Sequence, residues 1–261
     1  MTITQQKDQF VCAPGIERAT GRDQAEGAIE GLRALEVFDK VCGVTYDTTP
    51  SNSSVAVGTA ALLEEELGFQ ILKIPCRRHI LDLFGKNLRK IVLGRATSGP
   101  GHPLFMRFNK EWGNIVGNID YTNLSTFNMA AWQGTFMEDV VEELKRWCFT
   151  TMNGVTFDRG SYRDLLFSIS VFIGAPMPPG FRFRIKKPKP VSNARFGEPA
   201  QYYIDLALLS QQLPWQLTAA QVQEVQTMAM ISSVFYGPGF LKSPLGRDAV
   251  YNDLQSIINF R

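Results

Sequence analysis

The sequence predicts a parallel α/β unit followed by a mostly α-helical region. Three observations carry this. Helix-like and strand-like patterns alternate over residues 24–94, the order that a parallel sheet with crossover helices requires. The strand-like runs are short, β-branched and bounded by turn residues. Beyond Gly94 helical periodicity takes over, at 103–117, 136–149, 158–174, 199–213, 218–236 and 244–260. A boundary between the two parts is placed after residue 96, giving regions 1–96 and 97–261.

The elements follow in order. Residues 1–23 are polar, with Phe10-Val11-Cys12 as a candidate short strand. From Gln24, Ala25, Ala28, Ile29, Leu32 and Leu35 fall on one helical face. Residues 41–47 (VCGVTYD) read as a strand, and 48–54 (TTPSNSS) as a turn with Ser51, Asn52 or Ser53 as N-cap. A helix is expected over 55–68, ended by Gly68, then a strand over 69–76 stopped at Pro75. Residues 79–94 form the clearest amphipathic helix. Ile80, Leu83, Phe84, Leu88, Ile91 and Val92 make its apolar stripe, and Arg and Lys lie opposite. In the second region only 181–185 (FRFRI) offers a short strand. The surrounding 176–190 is Pro-rich and basic, an expected exposed arm.

Composition narrows the function classes. The chain has 261 residues, 44% of them hydrophobic, which is globular rather than disordered. A net charge of +2 provides no global argument for a polyanionic partner. No apolar run reaches the roughly 18 residues of a membrane span, and residues 1–10 lack a signal-peptide core. The expectation is a nuclear or cytoplasmic protein that is not secreted. Its four cysteines, Cys12, Cys42, Cys76 and Cys148, are then free thiols. Only His79 and His102 are present, which works against multi-histidine metal centres.

Three groups could carry chemistry. Asp47 ends a strand at the sheet edge where α/β proteins bind ligands. It either offers a hard oxygen to Mg²⁺ or Mn²⁺, or caps its own turn. Cys76 and His79 have chelating spacing, but zinc needs four ligands, and a strand end packed beside a helix start is the plainer account. Basic residues cluster at Arg77, Arg78, Lys86, Arg89 and Lys90, and again at Arg182, Arg184, Lys186, Lys187, Lys189 and Arg195. Phe181 and Phe183 alternate with the arginines, which suits phosphate contact with rings free to stack bases, or a solvated loop. Glu64-Glu65-Glu66 reads as a solvated face, and the four tryptophans as core.

GVTYDTTPSNSS, a helix ending LEEELG, and a strand leading into CRRHILDL together resemble the catalytic core of hAT-superfamily DNA transposases. SYRDLLFSISVFIGA, GFRFR, NARFGEPAQYYIDLALL and PLGRDAVYNDLQSI extend the resemblance over most of the chain from about Val11. It implies a ribonuclease H-like fold interrupted by a helical insertion. It also implies an Asp-Asp-Glu triad whose carboxylates hold two divalent metals about 3.5–4 Å apart for in-line attack on phosphorus. Asp47 matches the family's second Asp. Cys76 and His79 match its Cys-x-x-His, expected to be structural and close to DNA.

The departures shape the expectation. The family's first Asp precedes the matched region, and Asp8 is a poor substitute. The family's Glu follows the insertion, so the chain is expected to be truncated at both ends. Arg195-Phe196 stands where the family has Arg-Trp. The sequence thus points to a transposase-derived domain with Mg²⁺ or Mn²⁺ at Asp47 if active, DNA as partner, homo-oligomerisation open, and no membrane or small-molecule cofactor. The alternatives are a non-catalytic DNA- or protein-binding module on the same scaffold, or an unrelated α/β enzyme using Asp47 and His79.

Overall fold

The computed structural model describes residues 15–94, 101–157, 159–187, 189–191 and 196–242. The candidate strand at 10–12, Asp8, Arg195 and the helix expected over 244–260 lie outside them. The chain divides into two units, 1–80 and 81–261, so the division falls earlier than residue 96.

In the first unit, helix α1 (Gly21–Ala34) opens with Thr20 as N-cap, its hydroxyl accepting from Asp23 N at 3.2 Å. Gly21 lets this helix start lie against the 51–58 loop, because a Cβ there would sit 2.2 Å from the Val57 carbonyl oxygen. Strand β1 (Gly43–Tyr46) follows. The helix expected over 55–68 is α3 (Thr59–Leu67), which starts later, with Gly58 at its N-cap position, and the expected turn at 48–54 holds a short helix, α2 (Pro50–Ser53), with Thr49 at the N-cap position instead of Ser51, Asn52 or Ser53. Pro50 favours the earlier start, since its ring presets the first helical φ. Gly68 ends α3 in the left-handed conformation at φ 73°. Strand β2 (Leu72–Pro75) then pairs with β1 in parallel, Gly43 opposite Leu72 and Tyr46 opposite Pro75. The parallel pair with its helical crossover matches the sequence pattern, as a two-stranded sheet. The acidic run does more than face solvent. Glu64 accepts from Ile71 N at 3.0 Å and pairs with Lys73, and Glu66 pairs with Arg33.

Helix α4 (Arg77–Leu93) leads into the second unit. There α5 (Pro103–Lys110), α6 (Trp112–Val116), α7 (Phe136–Gly154), α8 (Gly160–Phe172), α9 (Gly197–Leu208), α10 (Ala219–Ile231) and α11 (Gly237–Lys242) surround one apolar core. Helix α9 is its centre, buried almost all round from Pro199 to Leu208. Phe105 stacks on Tyr202 at 4.6 Å between ring centres and meets Tyr203 edge-on at 4.9 Å. Between α10 and α11 the helix widens into a π-turn, Ser232–Tyr236. Pro238 accounts for it, since proline has no N–H and its ring crowds the carbonyl four residues back.

The orientation of α4 departs from expectation. Its Leu81, Leu88 and Leu93 pack on the core, and Asp82, Gly85 and Arg89 are buried. Ile80, Leu83, Phe84, Ile91 and Val92 are exposed, Ile91 by 76%. The cause is steric and polar together. Gly85 lets the helix meet the fully buried Phe196 ring, because a Cβ there would lie 2.4 Å from it. That face also carries the two polar residues with buried partners. Asp82 Oδ1 accepts from Phe196 N at 2.9 Å and from the Tyr236 hydroxyl at 2.7 Å, and Arg89 Nε donates to the Tyr203 hydroxyl at 3.0 Å. The FRFRI segment forms no strand. Its Phe181, Phe183 and Ile185 turn inward while Arg182, Arg184 and Lys186 turn out, without a ladder partner.

Replacing a mid-helix glycine by alanine ordinarily stabilises a helix by up to about 1 kcal/mol. At Gly85 the sign reverses. Gly85→Ala is expected to cost about 1–3 kcal/mol through overpacking against Phe196, read as a lower thermal midpoint.

Candidate functional site

Asp47 follows the carboxyl end of β1, and Cys76 follows that of β2. The Cys76 N–H donates to the Tyr46 carbonyl at 2.7 Å, so both positions stand on one edge of the parallel pair. Asp47 is exposed, and its Oδ1 accepts from Thr49 N at 3.1 Å, the Thr49 hydroxyl at 2.6 Å and Asn52 Nδ2 at 2.8 Å. This is an Asx-turn that starts α2. The Thr49 hydroxyl bond is the main cause that holds the carboxyl below its ordinary range, with Asn52, the Thr49 N–H and the nearby His79 adding to it against partial burial. His79 is buried and Cys76 is a half-buried free thiol.

Among the described residues no group of three or more His, Cys, Asp or Glu is placed to hold a metal ion. One Oδ1 of Asp47 is committed to its turn. The described residues therefore do not fit a two-metal centre, and no step is assigned through one.

The basic residues of α4 separate. Arg77 and Arg78 are half-buried and already engaged by neighbours, and Lys90 is exposed. Arg89 is 5% exposed and committed to Tyr203, with its guanidinium 5.3 Å from the Phe105 ring centre. It is a structural residue, and the expectation of DNA contact there is corrected. The hydroxyl of Tyr203 goes on to Glu224 Oε1 at 3.0 Å, which lies 2.8 Å from His102 Nε2. His102, read in sequence as a loop residue, thus ends a buried polar chain.

The basic arm builds a cavity. A partly open cavity of about 690 Å³ lies between the first half of α8, the first half of α9 and the arm residues Phe183, Arg184, Lys186, Lys187 and Lys189. Arg159, Arg184, Lys186, Lys187 and Lys189 form its cationic rim. Lys186 pairs with Asp164 at 2.6 Å, and the Arg184 guanidinium lies 5.0 Å from the Tyr121 ring centre. Arg182 is exposed on the same arm but does not line the cavity. Phe181 packs on Phe167 at 4.4 Å and Phe183 meets Tyr121 edge-on at 6.2 Å. These rings anchor the arm rather than stand free to stack bases, which corrects that expectation.

The floor of the cavity is rich in acceptors. Asp205 is 1% exposed, and its Oδ1 accepts from Ser168 Oγ at 3.1 Å and Gln201 Nε2 at 2.8 Å. Burial pushes its carboxyl up to about 7, against the lowering effect of those two bonds. Glu198, in the first turn of α9, keeps Oε2 buried with no hydrogen-bond partner among the described residues. Sequence reading missed Asp205, Glu198, Ser168 and Gln201. The available signal was one acid inside the apolar run YYIDLALL, with Gln201 four residues before it on the same face.

Comparison of the chain with protein-family models, curated proteins and solved structures gives no match.

Because the folded carboxyl of Asp205 titrates above its ordinary value of 3.8, the folded state holds a proton that the unfolded state releases between roughly pH 4 and 7. Stability from this group is present at low pH and lost as pH rises through 7. Asp205→Asn keeps an oxygen for Ser168 and Gln201. It is expected to raise the thermal midpoint by several degrees at pH 8 and to change it little at pH 4, as followed by circular dichroism.

Proposed function

We propose that the chain is a nucleic-acid-binding domain of hAT-transposase-like descent that engages DNA without cutting it. The observation that carries this is the arm at 181–189. Its inward Phe181, Phe183 and Ile185 fix it to the core, while Arg182, Arg184, Lys186, Lys187 and Lys189 face outward, all but Arg182 lining a cavity rim. A row of cations held by apolar anchors suits a phosphate backbone, whose condensed counterions are released on contact. The parallel β1–β2 pair with Asp47 at its carboxyl edge supports the ancestry. The commitment of Asp47 Oδ1 to its turn, with no group of three or more His, Cys, Asp or Glu placed to hold a metal among the described residues, supports the non-catalytic half of the reading.

Fluorescence anisotropy with labelled single-stranded oligonucleotides tests the binding. Affinity is expected to fall steeply with salt. Changing Arg182, Arg184 and Lys187 to Glu should weaken binding at least tenfold and reduce the log–log salt slope by about 2, at roughly 0.7 per phosphate contact. Absent or salt-independent binding would sink the proposal. With Mg²⁺ added, supercoiled plasmid should stay intact, and robust cleavage lost in Asp47→Ala would overturn the non-catalytic half.

A further inference from the structure

Three features of the cavity between α8, α9 and the basic arm are unusual in combination. Its size, about 690 Å³, is that of a small-molecule site. Its rim is cationic, with Lys187 and Lys189 exposed and Arg184 braced by Tyr121. Its floor accepts hydrogen bonds, at the Asp205 carboxyl and at Glu198 Oε2, which is buried and without a partner among the described residues. A buried acceptor with no donor costs stability until a donor reaches it.

A ligand complementary to this site has an anion at one end and uncharged N–H donors at the other. Aromatic walls at Tyr162, Tyr202 and Phe240 add that the donor end is flat. Inorganic phosphate satisfies the rim and leaves the floor empty. A thymine ring offers only its single N3–H and lacks the two-donor exocyclic amine that adenine and cytosine carry.

We infer that this cavity takes a single nucleotide unit with an amino-bearing base, its phosphate toward Arg184, Lys187 and Lys189 and its amine toward Glu198. The inference rests on the nucleic-acid-binding reading for its biological source, either a free nucleotide or one unit of a strand. The chemistry of the site is the same for both. Gln201 and Ser168 serve as positioning residues that hold Asp205 in place beneath the base.

The test uses the full chain, with oligo(dA), oligo(dC) and oligo(dT) of equal length, and dAMP, dTMP and inorganic phosphate as competitors. Oligo(dA) and oligo(dC) should bind about tenfold tighter than oligo(dT), and dAMP should displace a labelled strand where dTMP and phosphate do not. Glu198→Gln removes the negative charge and exchanges one of the two acceptor oxygens for an amide donor, and should narrow the base preference to under twofold while leaving the salt slope unchanged. Ser161→Phe fills the cavity wall and should abolish the dAMP effect. The wild-type comparison decides even if a variant folds poorly.

Equal binding of all three oligonucleotides without competition by dAMP overturns the inference, while steep salt dependence would keep the nucleic-acid reading. Competition by phosphate as strong as by dAMP also overturns it, marking an anion site alone. Binding of dAMP with no affinity for any strand supports the cavity as a free-nucleotide site and removes the strand-binding reading.

Discussion

The helical unit depends on the burial of two charged side chains on one face of α4. Asp82 and Arg89 are seven residues apart, two helical turns, and each finds its partner in the core. Asp82 ties the helix to the start of α9 and to Tyr236, and Arg89 ties it to the middle of α9. A buried charge without partners is expensive, so these contacts select one rotation of α4 about its axis. Gly85 between them admits the Phe196 ring. The consequence is that the more apolar side of the helix is left exposed.

This explains where the sequence was readable. The alternation of helix and strand over 24–94, the parallel pairing and the Gly68 stop all follow from local rules. Turn chemistry, periodicity and glycine conformation act over a few residues, so a single sequence displays them. The rotation of α4 was not readable. Its hydrophobic periodicity pointed to Ile80, Leu83, Phe84 and Ile91, and partners more than 100 residues away in the chain decided otherwise.

The same distinction runs through the candidate site. Asp47 and its Asx-turn were legible because Thr49 and Asn52 lie two and five residues away. The basic arm was legible as charge, but the fate of its phenylalanines was not, since Phe167 and Tyr121 come from distant segments. The carboxyl of Asp205 was visible only as an anomaly. Its meaning came from Ser168 on a neighbouring helix and from the cavity above it.

The π-turn at Ser232–Tyr236 bears on what the gene can tolerate. Such a turn holds one residue more than an α-helix of the same reach. Losing a single codon there would restore regular winding and leave the residues on either side in their present register, whereas the same loss in a regular α-helix turns every following side chain by about 100°. In this stretch, then, descendants can shed one residue without turning the rest of the helix, which regular winding does not allow.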